Sequence, residues 1–225
     1  MTRPARPGEF AAIVFARVPW PGRAKTRLVP ALGADGAAAL AAHMLQHAVG
    51  EAMRCGADAV ELCLTPDGDA AAAHPAIEAL RRAHPGLHVA GQGEGDLGLR
   101  MARALERALR ARGAAVLLGT DAPGLDAARI AEAASALRAH DAVFVPARDG
   151  GYALVGLARP APALFEGIDW STAQVMAQTR ARAVRAGLSL CELEPVADID
   201  EPADLGHVPA GWWRLLGCSG PPGAG

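Results

Sequence analysis

Short apolar runs alternate along the chain with longer stretches that have helical periodicity. Residues 11–15 (AAIVF) are continuously apolar, which is typical of a parallel strand buried on both faces. Comparable runs predict six further strands, at residues 60–64, 87–90, 115–118, 142–145, 153–157 and 189–193. The stretches between them predict helices at residues 35–54, 75–84, 97–112, 127–138 and 172–185.

Strands that alternate with helices form right-handed crossovers and a mostly parallel sheet. The expected fold class is therefore α/β, with one doubly wound sheet and helices on both of its faces. The strands at 142–145 and 153–157 have no helix between them, which favours a mixed sheet in the second half. In the helix at 97–112, four apolar side chains share a face that we expect to be buried: Leu99, Ala102, Leu105 and Leu109.

Composition restricts the class of protein and its partners. The 225 residues are 51% hydrophobic and 20% charged, as in soluble globular proteins. The net charge of −2 gives no basic excess for nucleic acid or an anionic membrane, so we expect a small-molecule partner.

Residues 10–216 are expected to form one domain, and residues 1–9 and 217–225 to be disordered tails. The chain has no C-x-x-C pair, no segment typical of a signal peptide and no uninterrupted apolar run of membrane-helix length. These features predict a cytoplasmic protein with free thiols.

The loop after the first predicted strand concentrates positive charge. It holds four cations within eleven residues, and Lys25 is the one lysine among 22 basic residues of the chain. Ligands of open α/β sheets bind beyond the carboxyl ends of the strands, where this loop lies. A compact ammonium, forked guanidinium groups and backbone N–H groups suit a phosphate, although a solvated basic loop is the alternative. The candidate phosphate contacts are Arg17, Gly22, Lys25, Thr26 and Arg27.

Two aspartates are candidates for binding a divalent cation. Asp121 follows the strand at 115–118, and Pro123 turns the chain away, which places a carboxylate at the carboxyl edge of the sheet. Asp200 follows Asp198 in a D-I-D segment, where two carboxylates share a face if the segment is extended. Mg²⁺ or Mn²⁺ suits such oxygen ligands. Either Asp121 or Asp200 could instead cap a turn or a helix.

Substrate contacts are also expected in the second half of the chain. The D-G-G-Y segment at residues 149–152 places two glycines between strands, where they either let the backbone approach a ligand or form a tight turn. The indole of Trp170 can stack on a sugar ring. The candidates are Asp149, Gly150, Gly151, Tyr152 and Trp170.

Two further patterns are disfavoured as sites. The G-x-G-x-x-G segment at 93–98 matches a dinucleotide fingerprint, but Glu94 and Asp96 would lie beside the pyrophosphate. His43 and His47 have a spacing compatible with zinc, but no third ligand is identifiable.

Five motifs together resemble one protein family. They are F-A-R-x-P-x-P-G-x-x-K-T-R-L (15–28), G-T-D-x-P-x-L (119–125), D-G-G-Y-x-L-x-G-L (149–157), W-S-T (170–172) and D-I-D-x-P-x-D-L (198–205). They resemble the "transferase 1, radical-SAM/selenodomain-associated" family (DUF2064). This resemblance implies a nucleotide-diphospho-sugar transferase fold of the glycosyltransferase A type. It also implies that Arg17, Lys25 and Arg27 bind phosphate, that Asp121 binds the metal, and that Asp200 is a second candidate ligand.

The resulting functional hypothesis is a metal-dependent glycosyltransferase with a nucleotide-sugar donor and a small-molecule acceptor. Lys25 and Asp121 are its candidate catalytic residues. A nucleotidylyltransferase that joins a nucleoside triphosphate to a phosphorylated acceptor and releases pyrophosphate is the alternative. A non-catalytic nucleotide-binding protein is a third possibility. The sequence indicates neither the nucleotide base nor the oligomeric state.

Overall fold

The computed structural model describes residues 9–215, and the strands in this range form one seven-stranded sheet. The tails expected at 1–9 and 217–225 lie outside the described residues, apart from Glu9. All seven predicted strands are present, with ends that differ from the prediction by at most two residues. They are β1 (Phe10–Arg17), β2 (Ala59–Thr65), β3 (Leu87–Gly91), β4 (Ala114–Leu118), β5 (Ala142–Pro146), β6 (Tyr152–Leu157) and β7 (Leu190–Glu192).

The strand order is β3-β2-β1-β4-β6-β5-β7, and β6 runs antiparallel to both of its neighbours. The remaining pairs are parallel, so the mixed second half is confirmed. Because β6 is reversed, its first residue, Tyr152, pairs with Pro146 at the end of β5. The start of β6 therefore lies at the same edge of the sheet as the carboxyl ends of β1, β4 and β5.

Helices cover both faces of the sheet, as predicted. They are α1 (Val29–Arg54), α2 (Asp69–Ala72), α3 (Pro75–Ala83), α4 (Leu97–Ala111), α5 (Ala127–Ala136), α6 (Val175–Arg185) and α7 (Ala210–Leu215). Buried side chains of α1, α3 and α5 join one core cluster, and those of α4 and α6 join the cluster on the other face. Gly33 has φ 70° and interrupts α1, so the regular helix starts close to the predicted residue 35.

The buried face of α4 agrees with the prediction except at Leu99. The side chains that pack against the sheet include Met101, Ala104 and Leu105, whereas Leu99 is 54% exposed. Leu105 is buried, as predicted, and Ala102 and Leu109 are partly buried against the same core, but Leu99 lies in an open apolar hollow beside Phe165. Ala and Leu occur on several sides of α4, so apolar spacing alone did not separate the two faces.

The C-terminal part of the described chain packs against α1. Trp213 is buried in a third core cluster with Leu40 and Met44, and the rings of His43 and His47 contact Trp212 edge-on. The two histidines therefore pack against an indole in this structure.

The helical stretch Thr26–Arg54, a 3₁₀ turn followed by α1, is by length and composition apolar enough to cross a membrane, with a mean hydropathy of 1.4 in its apolar window. The prediction from the sequence considered only apolar runs, so it did not identify this stretch, which contains few polar residues. Leu40, Met44, Leu45 and Val49 of this helix are buried in the protein, and the core helices of soluble proteins share this property.

The cysteines in the described residues, Cys55, Cys63 and Cys191, are free, as predicted; Cys218 lies outside the described range. Burial raises the pKa of Cys63 to about 12, with a smaller contribution from Glu61. This thiol therefore stays protonated and unreactive at neutral pH.

Candidate active site

A cleft of about 760 Å³ lies at the edge of the sheet where β1 and β4 end and β6 begins. All the predicted site residues except Gly22 and Gly150 line it. Its walls come mainly from residues 23–27, 119–122, 147–153, 170–175 and 198–201. The fold thus brings together motifs that are far apart in the sequence.

The ammonium group of Lys25 pairs with two aspartates. Its Nζ lies 2.7 Å from Oδ1 of Asp121 and 2.6 Å from Oδ1 of Asp200, and it donates to the carbonyl of Ile199 at 2.6 Å. The Lys25 side chain is 8% exposed, whereas those of the two aspartates are 43% and 39% exposed. The lysine is therefore buried beneath two carboxylates that reach the cleft, and its three N–H donors already have three acceptors.

Burial alone would lower the pKa of Lys25, but the charges and hydrogen bonds of Asp121 and Asp200 outweigh it, so the pKa is raised above its ordinary value. Lys25 is consequently charged at neutral pH. A fixed positive charge thus lies between the two candidate metal ligands.

Neither Asp121 nor Asp200 is used as a helix cap. The carboxylate of Asp126 caps α5, and Glu201 and Asp204 form a capping box on the 3₁₀ helix Pro202–His207. The amide of Ile199 donates to the carbonyl of Asp121 at 2.9 Å, which holds the two aspartate-bearing segments side by side. Both carboxylates therefore have no capping role, and the cation that they contact in this structure is the ammonium of Lys25.

Backbone strain is concentrated at the cleft. Within residues 9–215, the non-glycine residues with positive φ are Lys25 (φ 48°) and Ser171 (φ 64°), and both line the cleft. Such a conformation costs of order 1–3 kcal/mol and is retained mainly where a site requires it.

The loop before Lys25 is held by Trp20. The carbonyl of Trp20 accepts from the amides of Arg23 and Ala24, each at 3.0 Å, and its ring packs edge-on against His74. Gly22 has φ 70° and open space around it, so it forms the turn and does not line the cleft. The predicted contact between Gly22 and the substrate is therefore not supported by its position.

Gly150 packs against protein rather than lining the cleft. It has φ 92°, and a Cβ there would lie 2.3 Å from the carbonyl oxygen of Ala173. Its own carbonyl accepts from the amide of Met176 at 2.9 Å. Gly150 thus lets the hairpin pack against the start of α6, while Gly151 and Asp149 line the cleft.

Trp170 forms a wall of the cleft and depends on a glycine that sequence reasoning assigned no role. A Cβ on Gly98 would lie 2.8 Å from Cζ2 of Trp170 and 2.5 Å from the carbonyl oxygen of Phe165. The last glycine of the G-x-G-x-x-G segment therefore allows the indole to pack against α4.

Backbone groups at the start of that segment already pair with charged side chains of the protein. The carboxylate of Asp67 accepts from the amides of Gln92 (3.0 Å) and Gly93 (2.9 Å), and Arg103 donates to the carbonyls of Gln92 and Glu94. The protein's own charges already use these backbone groups.

Several cleft residues were not among the predicted contacts. Asp198 lines the cleft, and burial, together with the negative charge of Asp149, raises its pKa to about 6. The position of Asp198 in the D-I-D segment was the sequence feature that could have identified it as a cleft residue. The apolar residues Phe15, Leu97 and Met101 also line the cleft, although their sequence pattern resembles that of ordinary core residues.

The donor set fits a divalent cation. The Oδ1 atoms of Asp121 and Asp200 both contact Nζ of Lys25, so a divalent cation would bind through the other carboxylate oxygens or displace the ammonium; Mg²⁺ and Mn²⁺ prefer such hard ligands. Residues 9–215 contain no group of three or more His, Cys, Asp or Glu that could hold a metal ion. A cation at the aspartate pair would need water and substrate phosphate for its remaining ligands, which is usual for Mg²⁺.

Solved structures share this fold. A candidate nucleotide-diphospho-sugar transferase from Desulfovibrio desulfuricans G20 matches with a TM-score of 0.79 and 31% identity over 91% of this chain and 90% of that chain. The 4-diphosphocytidyl-2C-methyl-D-erythritol synthase of Anaerococcus prevotii matches with a TM-score of 0.61 and 13% identity over 92% and 100%. A CMP:2-keto-3-deoxy-manno-octonic acid synthetase complexed with CTP matches with a TM-score of 0.56 and 15% identity over 92% and 99%.

The fold and the cleft define a transferase of the nucleotide-diphospho-sugar transferase-like class, as the sequence resemblance implied. A family model described as "Uncharacterized protein conserved in bacteria (DUF2064)" matches residues 39–172. The chain belongs to this family. None of the curated proteins matches it.

Proposed function

We propose that the protein is a metal-dependent glycosyltransferase that takes a nucleotide-sugar donor and transfers its sugar to a small-molecule acceptor. The observation that carries this proposal is the convergence of Lys25, Asp121 and Asp200 in a cleft that Arg17 and Arg27 also line. Charges of both signs at one sheet edge suit a diphosphate with its cation.

The basic and the acidic residues of the cleft would have different roles. The guanidinium groups of Arg17, Arg23 and Arg27 would contact the phosphate oxygens. Asp121 and Asp200 would hold Mg²⁺ or Mn²⁺, which supplies neutralisation of the diphosphate as the leaving group. Lys25 would then turn its freed N–H donors towards a phosphate oxygen, where a compact ammonium stabilises the charge that develops as the glycosidic bond breaks.

Nucleotidylyl transfer is the second candidate, because the same cations could stabilise an α-phosphate under attack. The fold is also that of a synthetase whose structure contains CTP. A non-catalytic nucleotide-binding protein would use the same cleft without turnover. The three functions differ in which product appears, so product analysis distinguishes them.

The test is incubation with nucleoside triphosphates and sugar nucleotides, each with and without Mg²⁺ or Mn²⁺. Melting temperature reports binding, and released nucleoside diphosphate or exchange of labelled pyrophosphate reports the bond broken. We expect metal-dependent release of nucleoside diphosphate from a sugar nucleotide, slowly to water if no acceptor is present. Pyrophosphate exchange with one triphosphate, without diphosphate release, would favour the second candidate. Binding without either product would favour the third.

We also place this activity in the cytoplasm. The free thiols of Cys55, Cys63 and Cys191 suit a reducing compartment.

A further inference from the structure

The cleft has two halves with different chemistry. The half that we call cationic is formed by the end of β1 and the loop after it, which contribute Arg17, Arg23, Lys25 and Arg27. The half that we call aromatic contains five apolar or aromatic side chains from β1, α4, β6 and the segment before α6. They are Phe15, Leu97, Met101, Tyr152 and Trp170.

The positive charges of the cleft all come from one segment. Among the described residues that line the cleft, no lysine or arginine lies outside residues 17–27. The charged residues from its other segments are acidic, and they include Asp149 and Asp198. Asp149 belongs to the hairpin that leads directly into Tyr152, and Asp198 lines the same cleft. Arg148 of the same hairpin is exposed but does not line the cleft, so a negatively charged group in the cleft beside this hairpin would face the carboxylates.

The aromatic half also contains an unpaired polar atom. The hydroxyl oxygen of Tyr152 is buried and has no hydrogen-bond partner within the described chain. The Tyr152 ring packs edge-on against Phe144 at 5.0 Å and Trp170 at 6.4 Å, which fixes its position. A buried hydroxyl without a partner is unfavourable, so a ligand that supplies one gains affinity.

We propose that the aromatic half selects an uncharged acceptor that has an apolar ring or chain and a hydroxyl group, and that it rejects phosphorylated acceptors. This inference rests on the proposed function, because the donor diphosphate must occupy the cationic half. The acceptor's apolar part would lie against Trp170 and Leu97, and a polar atom of the acceptor would pair with the Tyr152 hydroxyl. Asp149 and Asp198 would repel an acceptor phosphate.

Two small molecules that differ in charge test this selection. The protein is first saturated with Mg²⁺ and whichever nucleoside diphosphate raises its melting temperature most, so that the cationic half is filled. Binding of benzyl alcohol and benzyl phosphate is then measured by ligand-observed NMR titration. We expect benzyl alcohol to bind at least tenfold more tightly. Equal or tighter binding of benzyl phosphate in the nucleotide-filled protein would overturn the inference while leaving the proposed function intact. If no nucleoside diphosphate binds, the proposed function fails and the inference fails with it.

Substitutions test the residues responsible. The double change Asp149→Asn and Asp198→Asn should reduce the preference for benzyl alcohol to a few-fold, whereas Glu132→Gln, an exposed charge outside the cleft, should leave it unchanged. An unchanged preference in the double variant would show that these carboxylates do not select the acceptor.

Tyr152→Phe keeps the ring and removes the hydroxyl. We expect about fivefold weaker binding of benzyl alcohol, because one hydrogen bond is lost. Nucleotide affinity should be unchanged, and the melting temperature of the free protein should be unchanged or higher. A lower melting temperature with unchanged benzyl alcohol binding would show that the hydroxyl has a structural role only.

Discussion

Lys25 and Asp200 are 175 residues apart in the sequence, yet Nζ of the first lies 2.6 Å from Oδ1 of the second. The contact joins the loop after β1 to the segment before the 3₁₀ helix Pro202–His207. Ile199 strengthens the same junction, because its carbonyl accepts from Lys25 and its amide donates to Asp121. The candidate catalytic groups therefore also hold the fold together at this edge, and substitutions there should change stability as well as activity.

Lys25→Ala should lower both stability and nucleotide affinity. Without the ammonium, Asp121 and Asp200 face each other with no cation, and since both are partly exposed we expect a loss of about 1–3 kcal/mol in EDTA. Added Mg²⁺ should restore part of this loss. Lys25→Arg should also weaken nucleotide binding, because a planar guanidinium does not replace a compact ammonium. Thermal melts with and without metal, and calorimetry with a nucleoside diphosphate, measure these effects. Wild-type affinity in both variants would contradict the phosphate-binding role of Lys25.

Asp121→Asn and Asp200→Asn should each abolish metal-dependent binding or turnover. An amide keeps the shape of the side chain but loses the charge that a divalent cation needs. Asp126→Asn is the matched control, because Asp126 caps α5 and asparagine caps almost equally well. Metal titrations of the three variants measure the difference. Normal metal dependence in both Asp121→Asn and Asp200→Asn would rule out the aspartate pair as the metal ligands.

Gly98→Ala should disturb the wall of the cleft. Its Cβ would meet the carbonyl of Phe165 and the ring of Trp170, and a clash with backbone is costly to relieve. We expect a loss of about 1–3 kcal/mol, larger than the gain in helix propensity. Chemical denaturation measures the loss, and turnover should fall with it. Gly86→Ala, where the space is open, should have little effect on either property. Equal stability of the two variants would contradict the packing role.

The contacts of the Asp141 carboxylate predict that the stability of the folded protein depends on pH. Its carboxylate accepts from Arg159 Nε at 2.6 Å and from the amide and hydroxyl of Ser189, each at 2.9 Å. These contacts, the Arg159 hydrogen bond first, hold the pKa of Asp141 well below its ordinary value of 3.8. A lowered pKa contributes stability above the unfolded value, and this contribution is lost as the pH falls below it.

Asp141→Asn should therefore reduce stability at pH 7 and make it less sensitive to acid below about pH 4. Urea unfolding at pH 7 and pH 3 measures both effects, and Glu132→Gln serves as the exposed control. The same acid sensitivity in wild type and Asp141→Asn would show that this carboxyl does not link stability to pH.

The strands and the position of the cleft were predictable because both depend on local patterns. Continuous apolar runs mark buried strands, and the topology of parallel sheets places loops such as residues 119–122 at the carboxyl edge. The antiparallel β6 was also predictable, since no helix separates it from β5.

Other features depend on contacts between distant segments, which local patterns do not contain. The burial of Lys25 requires the segment around Ile199, and the packing roles of Gly98 and Gly150 require Trp170 and Ala173. The exposure of Leu99 was not predicted, because α4 is apolar on more than one side and only packing against the sheet distinguishes the sides. A glycine at a turn and a glycine at a close contact look the same in the sequence.

Because β6 is reversed, the β5–β6 turn on one side of the cleft can change in length independently of the loop after β1 on the other side. The turn between Pro146 and Tyr152 joins neighbouring antiparallel strands, so its length can change without changing strand order or any helical crossover, provided that Gly150 still packs against Ala173. The loop after β1 has no such freedom, because it ends in the buried Lys25 and leads into α1. Under the proposed function, a change in the length of this hairpin should therefore alter acceptor preference, while the donor side keeps its geometry.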